Sequence, residues 1–242
     1  MLHSYLERNE CGDTVKVLGL TALMAYYTFI GDETRYTSAH AMMKEAQSDP
    51  DVSPLTRKKL EAEMNDLEAA WYFKAGRPDL ALAPLKKRLE RGFLVEGKNA
   101  VYIINLDNLA QVYRKCGMAD LSEETYRKAL REAESELKPH IPEHVQLLIS
   151  NNFAVLFLET GRPAEALEQL ARCTRYAKDG APALGEVYRN YARAWEQLGE
   201  RDKALRYWML SAPLLEKLYG TDHERTVYAR ERVRALEKQT ES

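Results

Sequence analysis

The sequence predicts an all-α fold: a solenoid of about five helix pairs closed by a C-terminal capping helix. Two observations carry that prediction. Residues 105–136 read as two amphipathic helices hinged at Gly117, with Leu106, Leu109, Ala110 and Tyr113 forming one apolar stripe and Leu121, Tyr126, Ala129 and Leu130 the other. Such a pair cannot bury both stripes alone and must stack on copies of itself. The copies are the second observation. Gly31, Gly76, Gly117, Gly161 and Gly199 each separate two helical patterns, at spacings of 45, 41, 44 and 38 residues. Seven positions before the glycines stand Met24, Ala69, Ala110, Ala154 and Ala192, and four before them Tyr27, Tyr72, Tyr113, Phe157 and Trp195. Five positions after come Tyr36, Ala81, Ser122, Ala166 and Ala204, then at nine His40, Leu85, Tyr126, Leu170 and Trp208. A small residue lets two helices approach, and the aromatic fills the space beside it.

Taken in order, residues 1–13 form a short polar N-terminal segment, and the repeats follow at about 14–48, 55–91, 99–137, 143–178 and 182–219. Val15 to Ile30 is apolar nearly all round, which implies burial on every side. Three covers remain open for it: the N-terminal segment, a second copy making a homodimer, or a preceding domain. Leu18 and Phe29 are the residues expected to make that contact. The stretch Ser48 to Pro54 is rich in turn formers and ends the first pair. The second pair turns at Gly76-Arg77-Pro78, where proline suits the first turn of a helix. Pro84 and Pro213 lie inside helices and should bend them, because each removes a backbone donor and crowds the preceding turn.

Gly92 to Asn99 imitates GxxxxGK, but Asn99 replaces the Ser or Thr that would hold magnesium, and the preceding stretch reads as helix rather than strand. It is therefore read as an inter-repeat loop. Residues 138–142 and 179–182 divide the later pairs. Residues 222–242 are a capping helix and tail, with Val227, Val233 and Leu236 as a thin apolar line among charged neighbours.

The small-residue and aromatic positions resemble those of tetratricopeptide repeat (TPR) proteins. The long spacing, Asp107-Asn108-Leu109-Ala110, Asn151-Asn152-Phe153-Ala154 and the loop Tyr219 to His223 are similar to the kinesin light chain type of repeat. The resemblance covers roughly residues 14–240 and implies a right-handed α-solenoid. Fold does not set function, because such repeats serve many roles.

Composition narrows the class. Apolar residues make up 45% of the chain, enough for a core, and a net charge of −2 gives no general attraction to nucleic acid or to an anionic membrane. Cys11, Cys116 and Cys173 are too scattered for a CxxC site, and with no signal peptide or long apolar span they suggest a reducing, cytoplasmic setting. No nucleophile triad, HExxH motif or cofactor motif is present, and His140 and His144 straddle Pro142. No enzyme, metal or cofactor is expected.

The expected activity is binding. Nine positions before the last three turn glycines stand Asn108, Asn152 and Asn190, on first helices that would line a concave groove. An asparagine amide donates and accepts together, so a row of them can hydrogen-bond an extended peptide backbone. In kinesin light chains and Rap-type bacterial peptide receptors, asparagines matching these positions engage cargo or peptide. The resemblance therefore implies a peptide groove, flanked by Gln111, Arg114, Asn151, Arg189 and Arg193. Arg189 and Arg193 lie one turn apart and suit a ligand carboxylate or, equally, Glu186 or Glu196. At the matching positions of the five first helices stand Thr21/Ala25, Asp66/Ala70, Asp107/Gln111, Asn151/Val155 and Arg189/Arg193, not the Lys/Asn pair of the chaperone carboxylate clamp. A non-catalytic scaffold or adaptor binding a peptide segment of a partner leads. A ligand- or peptide-sensing regulatory module and a structural assembly factor follow.

Overall fold

The computed structural model describes residues 13–95, 100–134, 141–176 and 183–238. Residues 1–12 of the N-terminal segment, the Glu96–Asn99 end of the GxxxxGK-like stretch, His140 and the 179–182 divider lie outside them. Eleven helices and no strand are found among the described residues: α1 Asp13–Ile30, α2 Glu33–Ser48, α3 Pro54–Lys74, α4 Pro78–Val95, α5 Ala100–Lys115, α6 Ala119–Ala133, α7 Glu143–Glu159, α8 Pro163–Tyr176, α9 Leu184–Gln197, α10 Arg201–Tyr219 and α11 Glu224–Lys238. The fold is all-α, a solenoid type of helix pairs. It comprises two compact units, one of residues 1–97 with 115–117 and one of residues 98–114 with 118–242.

Each pair is made by one local device. All five turn glycines adopt positive φ, between 70° and 75°, a region that a side chain makes costly. The next N–H reaches back to the carbonyl of the aromatic four before the glycine: Asp32 to Tyr27, Arg77 to Tyr72, Met118 to Tyr113, Arg162 to Phe157 and Glu200 to Trp195, at 2.8–3.1 Å. This closure satisfies carbonyls that the helix end would leave open. Arg77 and Arg162 then lay their guanidinium groups over the same aromatic rings, at 5.9 and 4.5 Å. The aromatic thus supplies both the anchoring carbonyl and the packing face. Starts are set too: Asp32 and Ser53 cap α2 and α3 through Arg35 N and Thr56 N, and Pro54, Pro78 and Pro163 open their helices.

In the first unit, Leu20, Met24, Tyr36, Met43, Leu60 and Met64 form the core. The Tyr36 ring stacks on Trp71 at 4.2 Å, and His40 hydrogen-bonds Glu68 beside it. Helix α1 is not enclosed. It buries Leu20, Leu23, Met24 and Tyr27 but leaves Leu18 65% and Phe29 77% exposed. Lys74 lies over the Phe29 ring and donates to its backbone carbonyl. Both α4 and α10 continue through their internal prolines.

In the second unit, Tyr126 stacks on Phe153, which packs at a tilt against Phe157, and Trp208 is fully buried against Ala192, Ala204 and Ala229. Ser122 Oγ donates to the Ala110 carbonyl at 2.8 Å, tying the small positions of α5 and α6 together. Two stripes differ from the sequence reading. Leu121 is exposed, and α6 faces inward through Ser122, Tyr126, Ala129, Leu130 and Ala133. Val227 is exposed as well, because the packed face of α11 runs Thr226, Ala229, Val233 and Leu236. In each case the helical period that reaches the neighbouring helix starts one residue away from the branched side chain.

Candidate functional site

The polar residues singled out on the first helices of the second unit gather into a seam across α5, α7 and α9. Its rule is simple. The asparagine nine residues before one turn glycine donates to the residue ten before the previous one. Asn152 Nδ2 lies 3.1 Å from both carboxylate oxygens of Asp107, and Asn190 Nδ2 lies 2.9 Å from Asn151 Oδ1. Gln111 Nε2 also donates to Asp107, at 2.8 Å. Further bonds parallel the seam: Arg114 pairs with Glu159 at 2.5 Å, and Gln197 donates to the Leu158 carbonyl. The first unit lacks this arrangement. There the matching positions hold Leu67, which packs on the core, and Thr21, whose hydroxyl is buried without a partner.

Burial separates the candidates. Asn108 is exposed, Asn151, Asn152, Gln111, Arg114, Arg189 and Arg193 are half-buried, and Asn190 is fully buried. Asn190 also spends both polar ends within the protein, since its oxygen accepts from Arg193 at 3.2 Å. The geometry of Asn190 is that of a joint between α7 and α9.

In the sequence Asp107 stands out only within the Asp107-Asn108-Leu109-Ala110 signature, yet its carboxylate is completely buried at the centre of the seam. Burial pushes its pKa up to about 6, against the opposing pull of Asn152, Gln111 and Arg114. The Tyr126 hydroxyl lies within electrostatic reach and is itself driven well above its usual range, chiefly by burial. The signal that could have found this centre is the offset itself, one asparagine set against an acid one repeat earlier.

At the far end of the seam, Glu186 holds two arginines at once, Arg189 at 2.8 Å and Arg225 of α11 at 2.5 Å. Arg193, one turn beyond Arg189, has no carboxylate within 4 Å among the described residues. Its pKa is lowered, first by burial and then by the neighbouring Arg189. In the first unit a separate cleft of about 750 Å³ is lined by Val17, Leu18 and Thr21 of α1 and by Leu55, Lys58 and Lys59 of α3, among others. Among the described residues no helix is long and apolar enough to cross a membrane, and no three metal-capable side chains cluster.

Residues 102–179 match the family described as tetratricopeptide repeat. Among solved structures, the apo form of RapI resembles this chain with a TM-score of 0.72 at 14% identity, covering 99% of this chain and 64% of RapI. A putative kinesin light chain of Podosopora anserina, with nearly identical TPR-like repeats, gives 0.60 at 16% identity over 84% of this chain and 97% of its own. A point variant of that protein gives 0.62 at 16% identity, over 84% and 96%. The chain spans less than two thirds of RapI. No characterised protein sequence matches it. Residues 102–179 are tetratricopeptide repeats, and the helix pairs have the fold of kinesin light chain-like arrays. Such repeats are protein-interaction modules.

Proposed function

We propose that the chain is a non-catalytic scaffold that holds an extended peptide segment of a partner protein against the α5, α7 and α9 face. The observation that supports this reading is the seam. Bonds from Asn152 to Asp107 and from Asn190 to Asn151 fix the register of three first helices, so the face is organised before a ligand arrives. Preorganisation lowers the entropic cost of binding a flexible segment. On that face Asn108, Gln111, Asn151 and Asn152 keep partial access to solvent and present amides, which suit a peptide backbone whatever its side chains. Asn190 acts beneath them as a support, and Arg114, Arg189 and Arg193 border the row.

The test is selection from a random twelve-residue peptide display library, followed by affinity measurements with Asn108→Ala. Asn108 is exposed and makes no side-chain hydrogen bond among the described residues, so its removal should leave the melting temperature in place. Enriched peptides that compete with one another and lose affinity on Asn108→Ala are expected. No enrichment, or peptides indifferent to that change, would refute the reading. The chain would then be a structural assembly factor working through its outer helices.

A further inference from the structure

We propose that Arg193 is an anion anchor, and that the segment recognised by this face carries a carboxylate, an Asp or Glu side chain, seated on its guanidinium. This rests on the peptide-scaffold reading above and names the partner's chemistry. A guanidinium has five N–H donors in a planar fork and cannot lose its charge. Arg193 spends one donor on Asn190 Oδ1 at 3.2 Å. No nitrogen of Arg193 is both buried and unsatisfied, so the remaining donors open toward solvent. The side chain is nevertheless half-buried and has given up part of its hydration.

Glu159 lies within electrostatic reach and repays part of that loss, but the surrounding carboxylates are committed elsewhere. Glu159 is committed to Arg114 at 2.5 Å, and Glu186 is shared between Arg189 and Arg225. Asp107 is buried and already accepts from Asn152 and Gln111. Arg189 adds a second positive charge one helical turn away, and Arg114 a third across the seam, both within electrostatic reach of Arg193. A partly desolvated cation that makes no ion pair among the described residues, and is flanked by two more, favours an incoming carboxylate more strongly than an exposed arginine would. Asn190, fixed by Asn151, keeps the fork from swinging away. The fork's geometry matches a carboxylate through two parallel hydrogen bonds, which a lysine cannot supply.

The experiment follows the Arg193 side-chain Nε–H signal by NMR in the full chain, titrated at constant ionic strength with two probes: an N-acetylated, C-amidated hexaglutamate peptide, and glutarate. Hexaglutamine and chloride are the controls. A saturable shift with hexaglutamate, at least tenfold tighter than with glutarate, is expected. Hexaglutamate affinity should fall at least tenfold in Arg193→Lys, which keeps the charge and loses the fork, and a few-fold in Arg189→Gln. Tighter binding of glutarate would overturn the peptide assignment in favour of a small dicarboxylate. Equal response to glutamate and glutamine peptides, or to chloride, would overturn the anchor itself. Asn108→Ala separates the two levels: if hexaglutamate needs Arg193 but not Asn108, the anchor stands and the amide-row reading fails.

Discussion

Asp107 offers the sharpest test of the energetics. In an unfolded chain its carboxyl should titrate near 3.9. In the folded protein burial holds it at about 6. The folded state therefore binds the proton more tightly, and the stability this group contributes is complete below about pH 4 and lost as pH rises toward about 6, after which it stays flat. Roughly two pKa units correspond to about 3 kcal/mol, of which about 2 kcal/mol falls between pH 4.5 and 7.5. Asp107→Asn removes the titration and imposes a fixed cost of about 1–2 kcal/mol, because one amide oxygen must serve both Asn152 and Gln111 while the new NH₂ faces donors. Urea unfolding of both proteins at pH 4.5, 5.5, 6.5 and 7.5 reads the difference, and other titrating groups cancel. The gap between parent and variant should narrow by about 2 kcal/mol as pH rises, and could reverse. Parallel profiles would refute the claim that Asp107 is a buried, strained carboxylate.

Three other outcomes follow from the same structure. Asn152→Ala should destabilise the protein by about 1.5–3 kcal/mol at pH 7.5 and by visibly less at pH 4.5, in urea unfolding, since it strips a donor from a buried carboxylate. Gly185→Ala should lower the melting temperature at a cost of about 1–3 kcal/mol, because its Cβ would sit 3.0 Å from Leu215 N and 3.1 Å from Leu214 Cβ, where helix propensity alone would favour alanine. We also expect self-association through α1: light scattering over a concentration series should show dimer for the parent and monomer for Leu18→Glu with Phe29→Glu, and a parent that stays monomeric at every concentration rules it out.

The fold was legible because its determinants are local. A glycine that must take positive φ, an aromatic four residues earlier and a small residue seven earlier are all written within one repeat, and the same closure forms five times. The site was legible only in part. Asn108, Asn152 and Asn190 occupy one repeat position, yet the first is exposed, the second bonds an acid and the third is buried. What separates Asn152 from Asn190 is the residue ten before the previous turn glycine, Asp107 for the first and Asn151 for the second. Leu121 and Val227 failed for a related reason. A branched residue next to a helical stripe counts toward hydrophobicity without facing inward, and Ser122 and Thr226 take the buried place instead.

The turn glycines carry a stereochemical consequence. Around Gly31, Gly76, Gly117, Gly161 and Gly199 a Cβ would meet nothing within 4 Å. Space is therefore not what demands glycine there; the handedness of the backbone is. A mirror-image residue prefers that handedness. Placing D-alanine at Gly161 by chemical ligation should leave the turn intact and raise stability by about 0.4–1 kcal/mol, because fewer unfolded conformations remain to be lost, whereas L-alanine at the same site should cost about 1–2 kcal/mol. The two enantiomers differ in nothing but chirality, so the gap between them measures the turn by itself.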